Sequence, residues 1–428
     1  MPAPLRIAIA GLGTVGAGVI KMIRTHGDLM EARTGRRVEI VAVSARSKGK
    51  DRGVPLTDYA WEDDPVALAS REDIDVFVEL MGGSDGPAKA ATEAALAAGK
   101  DVVTANKAML AIHGQALAET AEKTDRVLRF EAAVAGGIPV IKALTEGLAG
   151  NRMGRVMGVM NGTCNYILTR MESAGLPYEE VFAEADALGY LEADPTLDVG
   201  GIDAGHKLAL LSSIAFGTQV DFDGVELEGI DRITIDDIRQ AADMGYKIKL
   251  LGVAQLTERG LEQRMSPCLV PDTSPLGQLD GGTNMVVFEG SDVGQIVLRG
   301  AGAGEGPTAS AVLSDILDIA RGTRLATFGQ PAKTLTKATP ARAVTAAPYY
   351  LRLELHDRPG ALAKVAAILG EAGISIDRMR QYGHDDETAP VLIVTHETTR
   401  ADIDTALQSF ATTDAVAGTP VTLRIEAV

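Results

Sequence analysis

An α/β fold follows from three observations on the sequence. Residues 1–138 alternate continuous apolar runs with amphipathic stretches; residues 331–348 are rich in Pro, Ala and Thr; and the segment after them runs strand, helix, strand, strand, helix, strand. The expected architecture has an N-terminal Rossmann-type doubly wound parallel sheet over 1–138. An α+β domain for substrate binding and dimerisation covers 139–330, a linker 331–348, and a C-terminal ferredoxin-like βαββαβ domain 349–428. A late helix over 305–325 is expected to pack back on the first domain. With 428 residues and 46% hydrophobic content the chain can bury two or three cores.

LRIAIA (5–10) is an apolar run that stops at glycine, as a strand buried on both faces does. A helix follows from about Thr14 to Met30. VEIVAVSA (38–45) and IDVFVEL (74–80) read as further buried strands. A helix from about Pro87 to Ala98 closes with Gly99 just past its end, and KDVVTA (100–105) is a fourth strand. In the middle region Pro177 is expected at the first helical position, with Tyr178, Val181, Phe182, Ala185 and Leu188 on one face and Gly189 after the end. Another helix spans about Ile202 to Ser213. GAGAGEGPTASAVLSDILDIA (300–320) is a glycine-rich loop feeding a helix with Pro307 near its start. In the last, seemingly separate, domain YYLRLEL, ISIDRMRQ, PVLIVTHE and VTLRIEAV are strands, and PGALAKVAAILGEAG and ADIDTALQSF are helices.

Composition narrows the function classes. The formal net charge is −17 and no Lys/Arg-rich run occurs, which argues against nucleic acid and an anionic membrane surface as partners. No apolar run approaches the roughly 20 residues that span a bilayer, and MPAPLRIAIAGLG is too quickly broken by glycine to be a signal peptide. The only cysteines, Cys164 and Cys268, form no CxxC pair. A reducing cytoplasm is the expected location.

GLGTVG (11–16) fits GxGxxG with a strand before it, a helix after it and a second strand at βαβ distance. Gly11 permits the turn, Gly13 lets backbone approach a pyrophosphate, and Gly16 allows close helix packing. The helix N-terminus offers free N–H groups to the anion. The second strand ends in SARSKGK. Ser44, Arg46, Ser47 and Lys48 supply donors and cations but no carboxylate, so NADP is favoured, with NAD possible.

EADPTLDVGGIDAGHK (192–207) gathers Glu192, Asp194, Asp198 and Asp203 ahead of Lys207. Asp203 and Lys207 are four apart and share a helix face. They are either a surface ion pair or, because Leu210, Leu211 and Ile214 continue that face, a buried functional pair. Lys107 follows the strand whose end lies at the ligand-binding edge of a doubly wound sheet. Glu131 in FEAAVAGGIP either ligates a cation or satisfies turn amides. NGTCNYI (161–167) either holds substrate or caps its helix. His206 faces elsewhere and reads as structural. None of the six His has metal-ligand spacing, which excludes a catalytic zinc.

Taken together, GLGTVG, ELMGG, TANKA, FEAAVAGGIP, MNGTCNYI, ADPTLDVGGIDAGHKLA and GAGEGPTASAV, in this order over about 1–325, closely resemble the homoserine dehydrogenase family. LELHDRPGALAKVAAIL (353–369) resembles an ACT domain. The resemblance implies NAD(P)-dependent interconversion of L-homoserine and L-aspartate 4-semialdehyde, within threonine, methionine and isoleucine biosynthesis. It assigns Lys207 as proton donor, with Lys107 and Asp203 beside it. Glu192, Asp198, Asp203, Asn161, Gly162 and Thr163 would bind substrate. Gly11, Gly13, Thr14, Val15, Gly16, Arg46, Lys48, Ser84, Asn106, Lys107, Gly189, Gly304 and Glu305 would bind cofactor. Glu131, with Val134, Gly136 and Ile138, would hold a monovalent cation, expected to be sodium. Gly200 stands where many relatives carry a larger or acidic residue, and it is not expected to touch substrate. The ACT resemblance implies L-threonine as effector, at DRPGAL (357–362), or a domain that only dimerises. A homodimer or homotetramer is expected.

Two rival readings use the same motifs: another NADP-dependent dehydrogenase of a small amino or hydroxy acid, and a non-catalytic sensor of cofactor and amino acid. Lys107, Asp203 and Lys207 argue against the sensor. A lysine ammonium beside a carbonyl stabilises the charge that grows on oxygen during hydride addition and delivers the proton. Acidic neighbours favour the ammonium form, so reduction is the expected easier direction near neutral pH.

Overall fold

The structure, a computed structural model, describes residues 2–191, 194–342, 345–381 and 387–428. The first sheet comprises β1 (Leu5–Ala10), β2 (Val38–Ser44), β3 (Ala60–Trp61), β4 (Val76–Glu79), β5 (Asp101–Thr104) and β6 (Leu128–Arg129). All pairings are parallel, in the order β3-β2-β1-β4-β5-β6. The strand order reverses between β1 and β4, which opens a crevice at their carboxyl ends. Ile7, Ala8, Ile9, Phe77 and Val78 are fully buried. Both faces are covered, hence the unbroken apolar runs in the sequence. Helix Glu305–Arg321 lies against helix Thr14–Thr34, and its Val312 and Ile316 pack with Ile7, Ile9 and Val78.

Helix Thr14–Thr34 runs a turn beyond Met30 and stops at Gly35 (φ +70). Its last residues, EART, carry no large apolar side chain and hide the final turn from a reading based on apolar period. Pro177 is the extended N-cap (φ −70, ψ 161) of helix Tyr178–Ala187 rather than its first residue. The helix predicted to end at Ser213 spans Ile202–Phe216 and stops at Gly217 (φ +65).

The second sheet contains β7 (Met153–Val159), β8 (Glu226–Leu227), β9 (Tyr246–Thr257), β10 (Gly260–Pro271), β11 (Thr283–Gly290) and β12 (Gly294–Ala301). Helices Gly162–Ala174, Ile202–Phe216 and Ile235–Asp243 pack on β9. The C-terminal domain contributes β13 (Tyr349–His356), β14 (Ile376–Gln381), β15 (Thr388–Thr395) and β16 (Val416–Ile425), antiparallel in the order β16-β13-β15-β14. Helices Ala361–Glu371 and Arg400–Phe410 share a core with Leu351, Leu353 and Ile393. This is the ferredoxin-like arrangement.

The C-terminal domain is not a detached unit. β16 pairs in parallel with β10, Cys268 opposite Arg424 and Leu269 opposite Ile425, so one sheet runs through both parts. Pairing removes an open edge from each. β16 starts at Val416, ahead of the predicted VTLRIEAV, because Gly418 (φ +67) and Pro420 mask its first half. The expected linker is pinned along the body. Thr336 N–H donates to the Gly217 carbonyl at 3.1 Å, and Leu261 N–H to the Thr339 carbonyl at 2.9 Å. Such backbone pairing leaves no apolar period in the sequence. Buried Asp237 accepts from Tyr350 Oη at 3.0 Å and Arg352 Nε at 2.7 Å, a second tie between the two parts. No helix among the described residues is long and apolar enough to cross a membrane.

Candidate active site

A cleft of about 550 Å³ runs from the glycine turn to the first turn of helix Ile202–Phe216. That helix starts after Gly201 (φ +78) and is apolar beyond its first turn, with Leu208, Leu210 and Leu211 fully buried. Asp203 and Lys207 are therefore carried into the interior, and both are buried. Lys207 Nζ donates to Asp203 Oδ2 at 2.7 Å and to the Met160 carbonyl at 2.7 Å. Lys107 Nζ stands 2.9 Å from Asp203 Oδ1. One carboxylate thus joins two ammonium groups from different helices, Lys107–Lys123 and Ile202–Phe216. Burial pushes the Asp203 carboxyl up, but the Lys207 and Lys107 ammoniums outweigh it and hold its pKa well below the usual carboxylate range.

Of the two roles left open by its sequence, Asn161 takes the helix cap, and it also bridges two acids of the cleft. Its Oδ1 accepts from Cys164 N–H at 2.8 Å and caps helix Gly162–Ala174. Its Nδ2 donates to Asp198 Oδ1 at 2.9 Å and Asp203 Oδ2 at 3.3 Å, bridging the two acids. A Cβ on Gly162 would come within 2.6 Å of the Gly282 carbonyl oxygen, so the wall admits no side chain there. Thr163 Oγ1 donates to the Tyr190 carbonyl at 2.9 Å, and the Tyr190 ring stacks on Tyr166. Glu192 lies outside the described residues. His206 packs its ring on Phe222, and burial lowers its pKa.

At the other end of the cleft, Gly11 (φ +96) needs its left-handed backbone, and a Cβ there would strike the Leu80 carbonyl oxygen at 2.3 Å. A Cβ on Gly16 would meet the Gly11 carbonyl oxygen at 2.1 Å, so this glycine serves the turn itself. The close helix contact belongs to Gly18, against Glu305 and Ala309. Gly13 differs: a Cβ would meet nothing within 4 Å. The space it leaves is open at the amino end of helix Thr14–Thr34, as a pyrophosphate would require. Val15, Lys107, Gly136, Gly189, Gly304 and Thr308 line the same cleft.

The remaining cofactor candidates divide by what their side chains do. Arg46 and Lys48 are exposed just past β2, and Lys48 Nζ lies 5.7 Å from the centroid of the Trp61 ring. Thr14 is exposed at the helix start. Ser84 Oγ donates to Asp85 Oδ2 at 2.9 Å. Asn106 caps helix Lys107–Lys123 through Met109 N–H at 3.1 Å and donates to the Gly83 carbonyl at 2.7 Å. Glu305 Oε1 accepts from Lys21 Nζ at 2.7 Å.

Buried Glu131 accepts from Ile141 N–H and Lys142 N–H, each at 2.9 Å, on separate oxygens. Burial, reinforced by Asp315, pushes its carboxyl up to about 7. No cluster of three His, Cys, Asp or Glu suited to a metal occurs among the described residues. Gly136 (φ +54) is forced, since a Cβ would meet the Gly302 carbonyl oxygen at 2.4 Å.

Several contributors went unnoticed in the sequence. Arg52 Nε donates to the Leu12 carbonyl at 3.1 Å and ties the cationic loop to the glycine turn. Glu79, fully buried, accepts from Met81 N–H at 2.7 Å and from Thr104 Oγ1 at 2.5 Å, fixing the ends of β4 and β5. Asn284 Nδ2 donates to the Met160 carbonyl at 3.1 Å, the acceptor it shares with Lys207. An Asn opening the otherwise apolar TNMVVF strand was the available signal, since strands are poor in Asn.

Three family profiles match this chain. One described as "Homoserine dehydrogenase, NAD binding domain" covers residues 11–131, one described as "Homoserine dehydrogenase" covers 139–317, and one described as "ACT domain" covers 349–412. The homoserine dehydrogenase of Neisseria gonorrhoeae is 42% identical over 434 residues, covering 99% of each chain. The crystal structure of a homoserine dehydrogenase from Thiobacillus denitrificans is similar with a TM-score of 0.93 at 39% identity, covering 99% of this chain and 98% of that one. A hyperthermophilic archaeal homoserine dehydrogenase in complex with NADPH gives a TM-score of 0.63 at 26% identity, over 74% of this chain and 97% of that one.

Proposed function

The chain belongs to the homoserine dehydrogenase family, and from that premise we propose how its own residues carry the reaction. The family interconverts L-aspartate 4-semialdehyde and L-homoserine with a nicotinamide cofactor, which supplies or accepts the hydride when bound. Gly11, Gly13 and Gly16 make the turn against which its pyrophosphate rests, and the open space beside Gly13 is what favours this fit.

Lys207 delivers the proton to the carbonyl oxygen as negative charge grows there, and Lys107 stabilises the same charge. Asp203 orients both ammoniums. Asp198, together with Glu192, holds the substrate's α-ammonium, and Asn161 fixes the distance between the acids. Gly162 and Thr163 keep the wall close to the substrate. The observation that carries this reading is the Asp203 carboxylate bonded at 2.7 and 2.9 Å by two lysines inside the cleft that begins at Val15. Steady-state rates in both directions test it: semialdehyde reduction is faster at pH 7, and oxidation dominating there would count against Lys207 as donor.

NADP is the favoured cofactor, because Arg46 and Lys48 follow β2 where a 2′-phosphate would sit and no carboxylate repels it. Sodium is held by Glu131 with the carbonyls of Val134, Gly136 and Ile138. A buried carboxylate with two amide donors among the described residues suits a cation. Feedback inhibition by L-threonine through the ACT domain, assembly as a homodimer or homotetramer, and residence in the cytoplasm complete the reading. Assays of NADP against NAD and of threonine inhibition test the cofactor and effector readings.

A further inference from the structure

A second cleft, of about 720 Å³, follows the seam between the catalytic body and the C-terminal domain. One wall is the segment around β8, the other the start of helix Arg400–Phe410 with Tyr349 and Arg342. Its charged groups are incompletely matched. Glu226 Oε1 is buried without a hydrogen bond among the described residues. Neither Glu226 nor Glu228 is in ion-pair contact with a side-chain cation among the described residues, and burial pushes both carboxyls up. Opposite them Arg400 Nε donates to Asp404 Oδ1 at 2.8 Å, its one hydrogen bond among the described residues. Arg264, nine-tenths buried in the same wall, has an Nε with no acceptor among the described residues.

We propose that this seam cleft is a binding site for a small zwitterionic α-amino acid. Its ammonium lies against Glu226 and Glu228, and its carboxylate against Arg400 and Arg342. A simple anion would leave the two carboxylates unpaired, and a simple cation would leave the guanidinium edges unpaired. A zwitterion satisfies both.

The proposal rests on the reading that the C-terminal domain senses an amino acid, but it moves the site. The Asp357–Leu362 turn adjoins the His356 end of β13, whereas Tyr349, at the opposite end of that strand, lines the cleft. The position also explains how occupancy would reach the chemistry. Phe222 and Leu227, in the β8 wall, pack on the catalytic helix at Gly205. There a Cβ would come within 2.7 Å of Leu227 and 3.2 Å of Phe222. The His206 ring lies 4.2 Å from that of Phe222. Both contacts fall between Asp203 and Lys207.

Calorimetric titration of the full-length chain with L-threonine, L-isoleucine and L-methionine tests the site, using Glu226→Gln, Arg400→Met and, in the other turn, Arg358→Ala. Saturable binding of at least one amino acid is expected. It should be weakened at least ~10-fold in Glu226→Gln and Arg400→Met, as loss of one charge-assisted contact implies. It should be unchanged in Arg358→Ala, with ligand-free turnover intact in Glu226→Gln. Decarboxylated and N-acetylated analogues of the bound amino acid should bind at least ~10-fold more weakly. Binding lost in Arg358→Ala and kept in the cleft variants overturns the location while sparing the sensing role. No saturable binding of any of the three overturns both. Equal affinity for either analogue overturns the zwitterion.

Discussion

Asp203 and Lys207 stand one helical turn apart and meet at 2.7 Å inside the protein, and Lys107 reaches the second oxygen of the same carboxylate from the start of helix Lys107–Lys123. Removing Lys207 therefore leaves Asp203 paired with Lys107 rather than stranded. Lys207→Ala is expected to fold and to bind NADPH as the parent does, while turnover falls at least ~10²-fold, the scale of a lost general acid. Fluorescence titration with NADPH and steady-state rates make the comparison. Near-normal turnover would remove Lys207 from the mechanism.

The same pairing sets an acid limit on stability. The folded Asp203 pKa lies below its unfolded value of about 3.9. Over that interval the unfolded chain binds more protons, so stability rises with pH. The contribution is fully present above about pH 4 and is lost as pH falls toward the folded value. Thermal melts between pH 5 and 3 should show a shallower decline for Asp203→Asn than for the parent. Parallel declines would mean that other carboxylates govern acid unfolding.

Two glycines of the nucleotide turn should separate folding from binding. Gly13→Ala meets no atom within 4 Å and should leave the melting temperature unchanged while weakening cofactor binding at least ~10-fold. Gly16→Ala drives a methyl into the Gly11 carbonyl oxygen at 2.1 Å and should lower the melting temperature first. A Gly13→Ala protein with parental cofactor affinity would place the pyrophosphate elsewhere.

What the sequence made legible was whatever depends on period and punctuation. Four strands of the first sheet could be read because each is an apolar run ended by a turn, and Lys107 because of its place after such a run; the two-residue β3 and β6 are too short to leave one. Asp203 and Lys207 could be paired by spacing, but their burial depended on Leu208 and Leu211 meeting another element. Pairing between backbones leaves no such trace. The straps through Thr336 and Thr339, and the join of β16 to β10, use N–H and C=O groups that every residue carries. Arg52 and Asn284 escaped notice because each bonds a carbonyl distant in sequence.

The buried Glu131 carboxylate receives two amide donors, and no side-chain cation is in ion-pair contact with it among the described residues. If sodium completes this site, it binds the folded state and stabilises it by mass action. Replacing choline chloride with sodium chloride at equal ionic strength should raise the melting temperature of the parent but not that of Glu131→Gln. An equal response in both proteins would assign the effect to general ionic strength.

Glu426 closes the seam between the two parts of the large sheet. It is buried, its Oε1 accepts from Arg424 Nε at 2.6 Å and from Arg264 Nη2, and its Oε2 lies 3.7 Å from Arg155 Nη1. Arg264 sits on β10 and Arg424 on β16, the two strands whose pairing joins the C-terminal domain to the body. Glu426→Ala leaves two buried guanidiniums without that carboxylate, a loss on the order of 3–5 kcal/mol. Because the cost falls on the junction, amide exchange should accelerate at residue 426, whose N–H donates to the Leu269 carbonyl, before it does in β1 and β4. Denaturant unfolding followed by residue-resolved exchange measures both effects. A stability change below about 1 kcal/mol, or exchange that rises uniformly, would show that the junction is held by strand pairing rather than by this charge cluster.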